Sequence, residues 1–453
     1  MADAWGERMP RSVGLLNAVA VSIGITIGSG IFRVPATVAG LLHDPGSVIL
    51  CWLLGGVMAL CGALTFAELA ASLPRSGGMF AYILEAFGPV PAFLFGWAEL
   101  TVVRAAALGA IATIFAEYLG YFLPLTAGEV REVAALTIIV VGLLNYLGVR
   151  RAAAVLSVTT YAKYGAVVAL GLLALSARGA SVAHFTPLWS GAVSLSLVAT
   201  ALVPVMWTYD GWADVAMIGG EISDPQKTLP RALIAGSVSV ALVYLLVNLA
   251  FIYVLPLPEM AGSKLIATTV ATRIPLLEGI GTGLIAGLVM LATFSGLNAS
   301  MMVGARIFYA MGDRGLLFRA VARVSPRFDT PSVAIVICTA LGVVYVLEND
   351  FAQLADKFIL GIWPFYALSV AAVFVLRRRR PELPRPYRVW GFPVVPALFL
   401  LASAGMVANA LATDPVNTGV TLLIIAVGLP VYWLRGRVAR ASAKIARPQD
   451  KSP

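Results

Sequence analysis

With 453 residues, 60% of them hydrophobic and only 12% charged, the chain departs from the roughly 25% charged content of soluble domains. Its mean hydropathy of +0.90 makes it a polytopic membrane protein, and the net charge of +9 then bears on orientation in the bilayer, not on nucleic acid. Cys51, Cys61 and Cys338 lie in apolar stretches and read as core packing. They form no metal cluster or disulfide framework, and no metal or cofactor is expected.

The polar residues 1–12 carry no cleavable signal pattern and read as an N-terminal tail. Apolar segments of spanning length follow at 13–41, 47–73, 89–123, 131–148, 153–176, 194–219, 230–255, 279–308, 331–348, 353–376, 392–412 and 416–434, twelve in all. The third and eighth are long enough to tilt strongly. The first is interrupted at Gly24-Ile25-Thr26-Ile27-Gly28-Ser29-Gly30-Ile31-Phe32. The sixth is interrupted at Trp207-Thr208-Tyr209-Asp210-Gly211-Trp212. A backbone that leaves the helix inside a bilayer must find other partners, so such breaks belong where they line a cavity. A matched pair of them points to a transporter's midplane site.

Segments one to five (13–176) overlay on six to ten (194–376). An odd number of spans per half inverts the second half, which puts a broken helix first in each repeat. Segments eleven and twelve (392–434) fall outside it, and 435–453 is a basic tail. With the N-terminus inside, the inner loops and termini hold 24 Lys and Arg against 5 outside. Both termini are therefore expected in the cytoplasm of a multi-pass cell-membrane protein.

Three strings carry a family resemblance: GITIGSGIF, YDGWADVAMIGGEISDPQKTLPRALIAG and RRRRPELPRPYRVWGFPVVP. In this order they resemble the first helix, the sixth helix with its following loop, and the loop between helices ten and eleven of the amino acid–polyamine–organocation superfamily. The resemblance covers nearly the whole chain and is closest to the L-type amino acid transporter branch and its bacterial relatives. It implies an all-α, leucine-transporter-like fold and uptake or exchange of L-amino acids. Animal relatives pair with a glycoprotein through a cysteine between helices three and four. Residues Pro124 to Glu132 hold none, so no disulfide-linked partner is expected.

The chemistry of a free amino acid suits these breaks. The amides of Ser29, Gly30 and Ile31 lie at the positive N-terminal end of the outer half-helix, where glycines such as Gly28 and Gly30 admit a carboxylate. Carbonyls near Thr26 and Ile27, and those of Trp207, Thr208 and Asp210, suit the ammonium. The bland alternative for the small residues is close helix packing. Tyr209 and Gly211 complete the second break. Trp207 matches the family's aromatic gate, with core packing as the alternative.

Asp210, beside the cavity, either pairs with a cationic substrate side chain or accepts from a neighbouring hydroxyl. Asp214, one turn on, is given no substrate role. Lys163 matches the family's fifth-helix lysine, whose ammonium stands in for a coupling ion; snorkelling is the alternative. Ser295 and Asn298 share a face of segment eight and either line the region near Lys163 or bond between helices. Arg104 reads as a structural partner of Glu99 or Glu117. Arg33 either attracts anions near the outer vestibule or snorkels, and its charge there tilts the expectation towards neutral substrates. Glu221 reads as an inner gate, with Arg75 or Arg150 as its cation.

An enzyme is not supported: His43 and His184 make no paired ligand set, and no GxSxG or phosphate loop is present. The reading is a sodium-independent permease or exchanger of L-amino acids working by alternating access. Proton-coupled symport of amino acids or polyamines is the runner-up, and a non-transporting amino acid sensor is the alternative of another class.

Overall fold

Helix follows helix along the chain, and among the described residues the extended pairing is a single parallel bridge, Val13 to Ile222. The computed structural model describes residues 11, 13–28, 30–75, 77–147, 149–191, 194–328 and 330–445, with their side chains except at 149–159, 161, 310, 313, 319 and 435–445. Ser29 and Arg8, and the side chains of Arg150 and Arg151, therefore lie outside the description.

α1 (Leu15–Thr26) stops where Ile27 turns out of helical geometry, at ψ 81°. A 3-10 turn (Gly30–Phe32) follows, then α2 (Val34–Leu41), with Pro35 in its first turn, where a missing amide costs nothing. α3 (Pro45–Ser72) is a full span. α4 (Met79–Phe87) is a short helix that hydropathy alone does not separate from its neighbours. α5 (Pro89–Ala98) runs through a π-helical turn at Glu99–Val103 into α6 (Arg104–Leu119), so the third span is continuous over 31 residues. α7 (Ala127–Tyr146) opens on a Thr126/Glu129 capping box, and α8 (Val149–Leu173) returns.

α9 (Leu195–Tyr209) ends at Asp210, which is extended. Gly211 then takes φ +102°, a conformation side chains avoid. Beyond it the chain makes two 3-10 turns, Asp214–Met217 and Gly219–Glu221, where the apolar pattern to 219 had suggested continued helix. α10 (Pro225–Val254) follows, then two short helices, α11 (Leu257–Gly262) and α12 (Ile266–Ala271). α13 (Gly281–Asp313), α14 (Ser332–Glu348), α15 (Phe351–Arg379), α16 (Val394–Thr413) and α17 (Pro415–Ile445) complete the bundle.

Among the described residues, seven helices are long and apolar enough to cross a membrane. Shorter apolar ones include α1 and α9, which their breaks cut short, and α14. α1 packs against α10 and α8, α9 against α3, α15 and α2, and α6 against α13, α14 and α7. α16 and α17 are peripheral: 28% and 17% of their apolar windows are buried, against 56–83% in the other five.

Aromatic rings fill the space around the second break. Trp212 packs against Phe66 at 4.8 Å and Tyr366 at 5.0 Å, and Tyr209 against Trp52 and Tyr244. Cys51, Cys61 and Cys338 are unpaired and buried in this interior.

Candidate functional site

The two breaks cross one another. A Cβ on Gly211 would stand 2.9 Å from the Thr26 amide, so only a glycine lets the second break lie on the first. The carbonyls freed at the first break are bonded from neighbouring helices. Thr26 O accepts from the Gly28 amide (2.8 Å) and from the Tyr244 hydroxyl of α10 (2.8 Å). Phe32 O accepts from the Tyr118 hydroxyl of α6 at 2.9 Å. Gly24 O accepts from the Lys163 ammonium of α8. The first break thus has donors from three helices, as a broken backbone in lipid requires.

Beside the crossing is a partly open cavity. Ile25, Thr26, Gly28 and Gly30 line it from the first break, and Trp207, Thr208, Asp210 and Asp214 from the second. α6 adds Arg104, Ala107 and Ile111, α13 adds Gly296, Ala299, Ser300 and Val303, and α15 adds Phe358.

Several sequence expectations change here. Ile27, Ile31 and Tyr209 are buried away from the void, and the Tyr209 hydroxyl donates to Trp52 O at 3.1 Å. Thr26 O, expected to take an ammonium, already has both lone pairs engaged. The Gly30 Cα faces α9: a Cβ there would lie 2.7 Å from Thr208 Oγ1 and 2.8 Å from Thr208 Cα. α13 presents residues 296, 299, 300 and 303 to the void, a stripe one residue round the helix from Ser295 and Asn298. Asn298 Oδ1 accepts from Asn145 of α7 at 2.8 Å, a bond between helices of the kind given as its alternative. Lys163 borders a second, smaller and apolar pocket with Phe32, Leu170 and Val289.

The cavity's charged groups form a network that spacing does not reveal. Arg104 donates to Glu99 at 2.9 Å and to Ser300 Oγ at 2.9 Å, while its Nε is buried without an acceptor. Residues five apart face away from each other on an α-helix, and the π turn between them brings this pair together. The turn's loosened Thr101 carbonyl accepts from the Tyr345 hydroxyl at 2.7 Å. Asp210 accepts from the Tyr366 hydroxyl of α15 at 2.8 Å, so the neighbouring-hydroxyl alternative has its hydroxyl.

Above the cavity Trp207 packs edge-on against Phe358 (4.9 Å) and Phe351 (6.3 Å). The Arg33 guanidinium lies 5.6 Å over the Phe351 ring and pairs with Glu117 at 3.1 Å. Arg33 is thus tied into a layered closure, neither snorkelling nor unpaired, and Glu117 is its partner instead of Arg104's.

At the opposite, arginine-rich end, Glu68 of α3 receives Arg377 at 2.9 and 2.6 Å, the Val389 amide at 2.7 Å and Arg385 at 3.6 Å. Glu221 lies 3.9 Å from Arg306 of α13, while Arg75 pairs with Glu85 at 3.4 Å and the Arg150 side chain lies outside the description.

The family model for amino acid permeases matches residues 13–433. The chain belongs to the amino acid permease family. It is 30% identical over 427 residues to the serine/threonine exchanger of Bacillus subtilis, covering 94% of this chain and 97% of that one. The human b(0,+)-type amino acid transporter 1 is 31% identical over 437 residues, covering 94% and 88%. The human cystine/glutamate transporter is 32% identical over 438 residues, covering 94% and 85%. Three relatives at nearly equal distance carry three different substrate descriptions, so similarity to this permease does not single out a substrate. Among the described residues no group of three His, Cys, Asp or Glu forms a metal site.

Proposed function

We propose that this permease moves free L-amino acids across the cell membrane by alternating access and without sodium. It does so as a twelve-span bundle of inverted repeats at 13–176 and 194–376 followed by the pair at 392–434. The observation that carries the reading is the cavity where the two breaks cross, closed at one end by Trp207 and Phe358 and bordered by polar groups from four helices. In this reading the amide of Gly30, ahead of the outer half-helix, takes the substrate carboxylate. Carbonyls of the second break take the ammonium. Lys163 supplies a fixed cation to the first break, where a coupling ion would otherwise neutralise the carbonyls.

The arginine-rich end, with the Glu68 latch and both termini, faces the cytoplasm, as the distribution of Lys and Arg favours. The serine/threonine exchanger of Bacillus subtilis among the relatives supports exchange as the transport mode.

Purified protein in proteoliposomes, challenged with a panel of labelled amino acids, tests this. Uptake is expected to depend on amino acid preloaded inside and to be unchanged when choline replaces sodium. Uptake driven by a proton gradient without internal amino acid establishes symport instead. Binding without flux establishes a sensor.

A further inference from the structure

Three ionisable side chains line the cavity, Arg104, Asp210 and Asp214, with Glu99 behind Arg104, and their pairing is uneven. Glu99 is 2% exposed and held by Arg104 at 2.9 Å. Arg104, 8% exposed, divides its two terminal nitrogens between Glu99 and Ser300. Asp210 accepts from the Tyr366 hydroxyl through one carboxylate oxygen, Oδ1, at 2.8 Å. Asp214 lines the same void and makes no hydrogen bond or ion pair with any described residue, its link to Arg104 being only longer-range attraction. It sits in the first 3-10 turn after the second break, where Gly211 at φ +102° swings the chain round.

The charge balance sharpens the point. Glu99 and Arg104 cancel, which leaves the acids Asp210 and Asp214 facing one cavity inside a membrane protein, Asp210 bonded by Tyr366 and Asp214 without a partner among the described residues. An uncompensated carboxylate in such a place is expensive. A zwitterion with an uncharged side chain leaves that imbalance as it was. A substrate whose side chain carries one more positive charge reduces it. Arg33 offers no counter-argument, since its guanidinium is committed to Glu117 and Phe351 at the far side of Trp207.

On the transport reading above, we propose that Asp214 is the residue that selects side-chain charge: the permease accepts amino acids with a cationic side chain, and Asp214 receives that cation. Asp210, tied to α15 through Tyr366, holds the second break in place. The two acids, four residues apart, therefore do different work.

The test is the ratio of arginine to leucine affinity in reconstituted wild type, Asp214→Asn, Asp214→Glu and Asp210→Asn proteins, each checked for monodispersity. Wild type is expected to bind both, with arginine favoured. Asp214→Asn should lower the ratio roughly 10- to 150-fold, the equivalent of one charge-assisted hydrogen bond. Asp214→Glu should restore most of it, and Asp210→Asn should leave the ratio where it was while impairing both substrates. Three results overturn the inference while leaving transport intact: wild type that handles leucine but not arginine, equal loss of both substrates in Asp214→Asn, or a selective loss confined to Asp210→Asn. Wild type that moves no amino acid removes the transport reading itself, and this inference with it.

Discussion

Gly30 and Lys163 illustrate how single atoms decide the first break. A methyl group on Gly30 would meet the Thr208 Cα at 2.8 Å, a backbone atom that no rotamer change can move. Gly30→Ala is therefore expected to separate the two breaks and abolish substrate binding. Adding Thr208→Ala should not restore it, because trimming the side chain leaves that Cα in place; binding of labelled substrate by the double variant checks this. Lys163 satisfies the Gly24 carbonyl with a charge held 3% exposed in the interior. Lys163→Ala leaves that carbonyl unpaired and should cost about 1–3 kcal/mol together with most of the transport rate. Thermal unfolding in detergent alongside uptake assays measures both, and an unchanged melting point with full uptake removes the role.

The elements differ in how firmly they hold the two ends of the cavity. Arg33 and Glu117 join the start of α2 to α6, but each is about a fifth exposed, at 22% and 21%. A pair so placed contributes on the order of 1 kcal/mol or less. Glu68, at 2% exposed, binds two arginines and an amide, and loss of its charge leaves cations partly buried and unpaired, at a cost of roughly 3 kcal/mol. With an Ala299→Cys reporter in the cavity, Glu68→Gln should therefore raise thiol labelling from the arginine-rich side by far more than Glu117→Gln raises it from the other. Labelling that changes equally from both sides contradicts this asymmetry. Both helix breaks were legible in the sequence because glycines and polar residues interrupt otherwise apolar runs. The partners of Glu68, Glu117, Glu221 and Asp210 were not, since each lies on a different helix from its acid and pairing across helices follows from packing. Glu99 and Arg104 were named as a pair, yet the π turn that allows a five-residue spacing leaves no compositional trace. The cavity-lining residues of α13, Ala299 and Ser300 among them, were not singled out, because a mostly apolar helix gives polar spacing little power to fix which face meets the cavity.

At the scale of the molecule, the bridge at Val13 and Ile222 joins parts far apart in the chain. The Val13 amide donates to Glu221 O at 3.0 Å and the Ser223 amide to Val13 O at 2.9 Å, just ahead of α1 and just beyond the turns that follow α9. The first half of the first broken helix and the segment after the second are thereby coupled, as two links joined by a pin. A transport cycle that displaces one must carry the other with it or break two hydrogen bonds, worth about 1 kcal/mol each. If they travel together, the amides of Val13 and Ser223 should exchange with deuterium at one common rate, slow in the resting protein and unchanged during turnover. If the pin opens in every cycle, both should accelerate together when substrate is added. The mechanism then has a clock that hydrogen exchange can read without any label on the substrate, and two backbone amides are its hands.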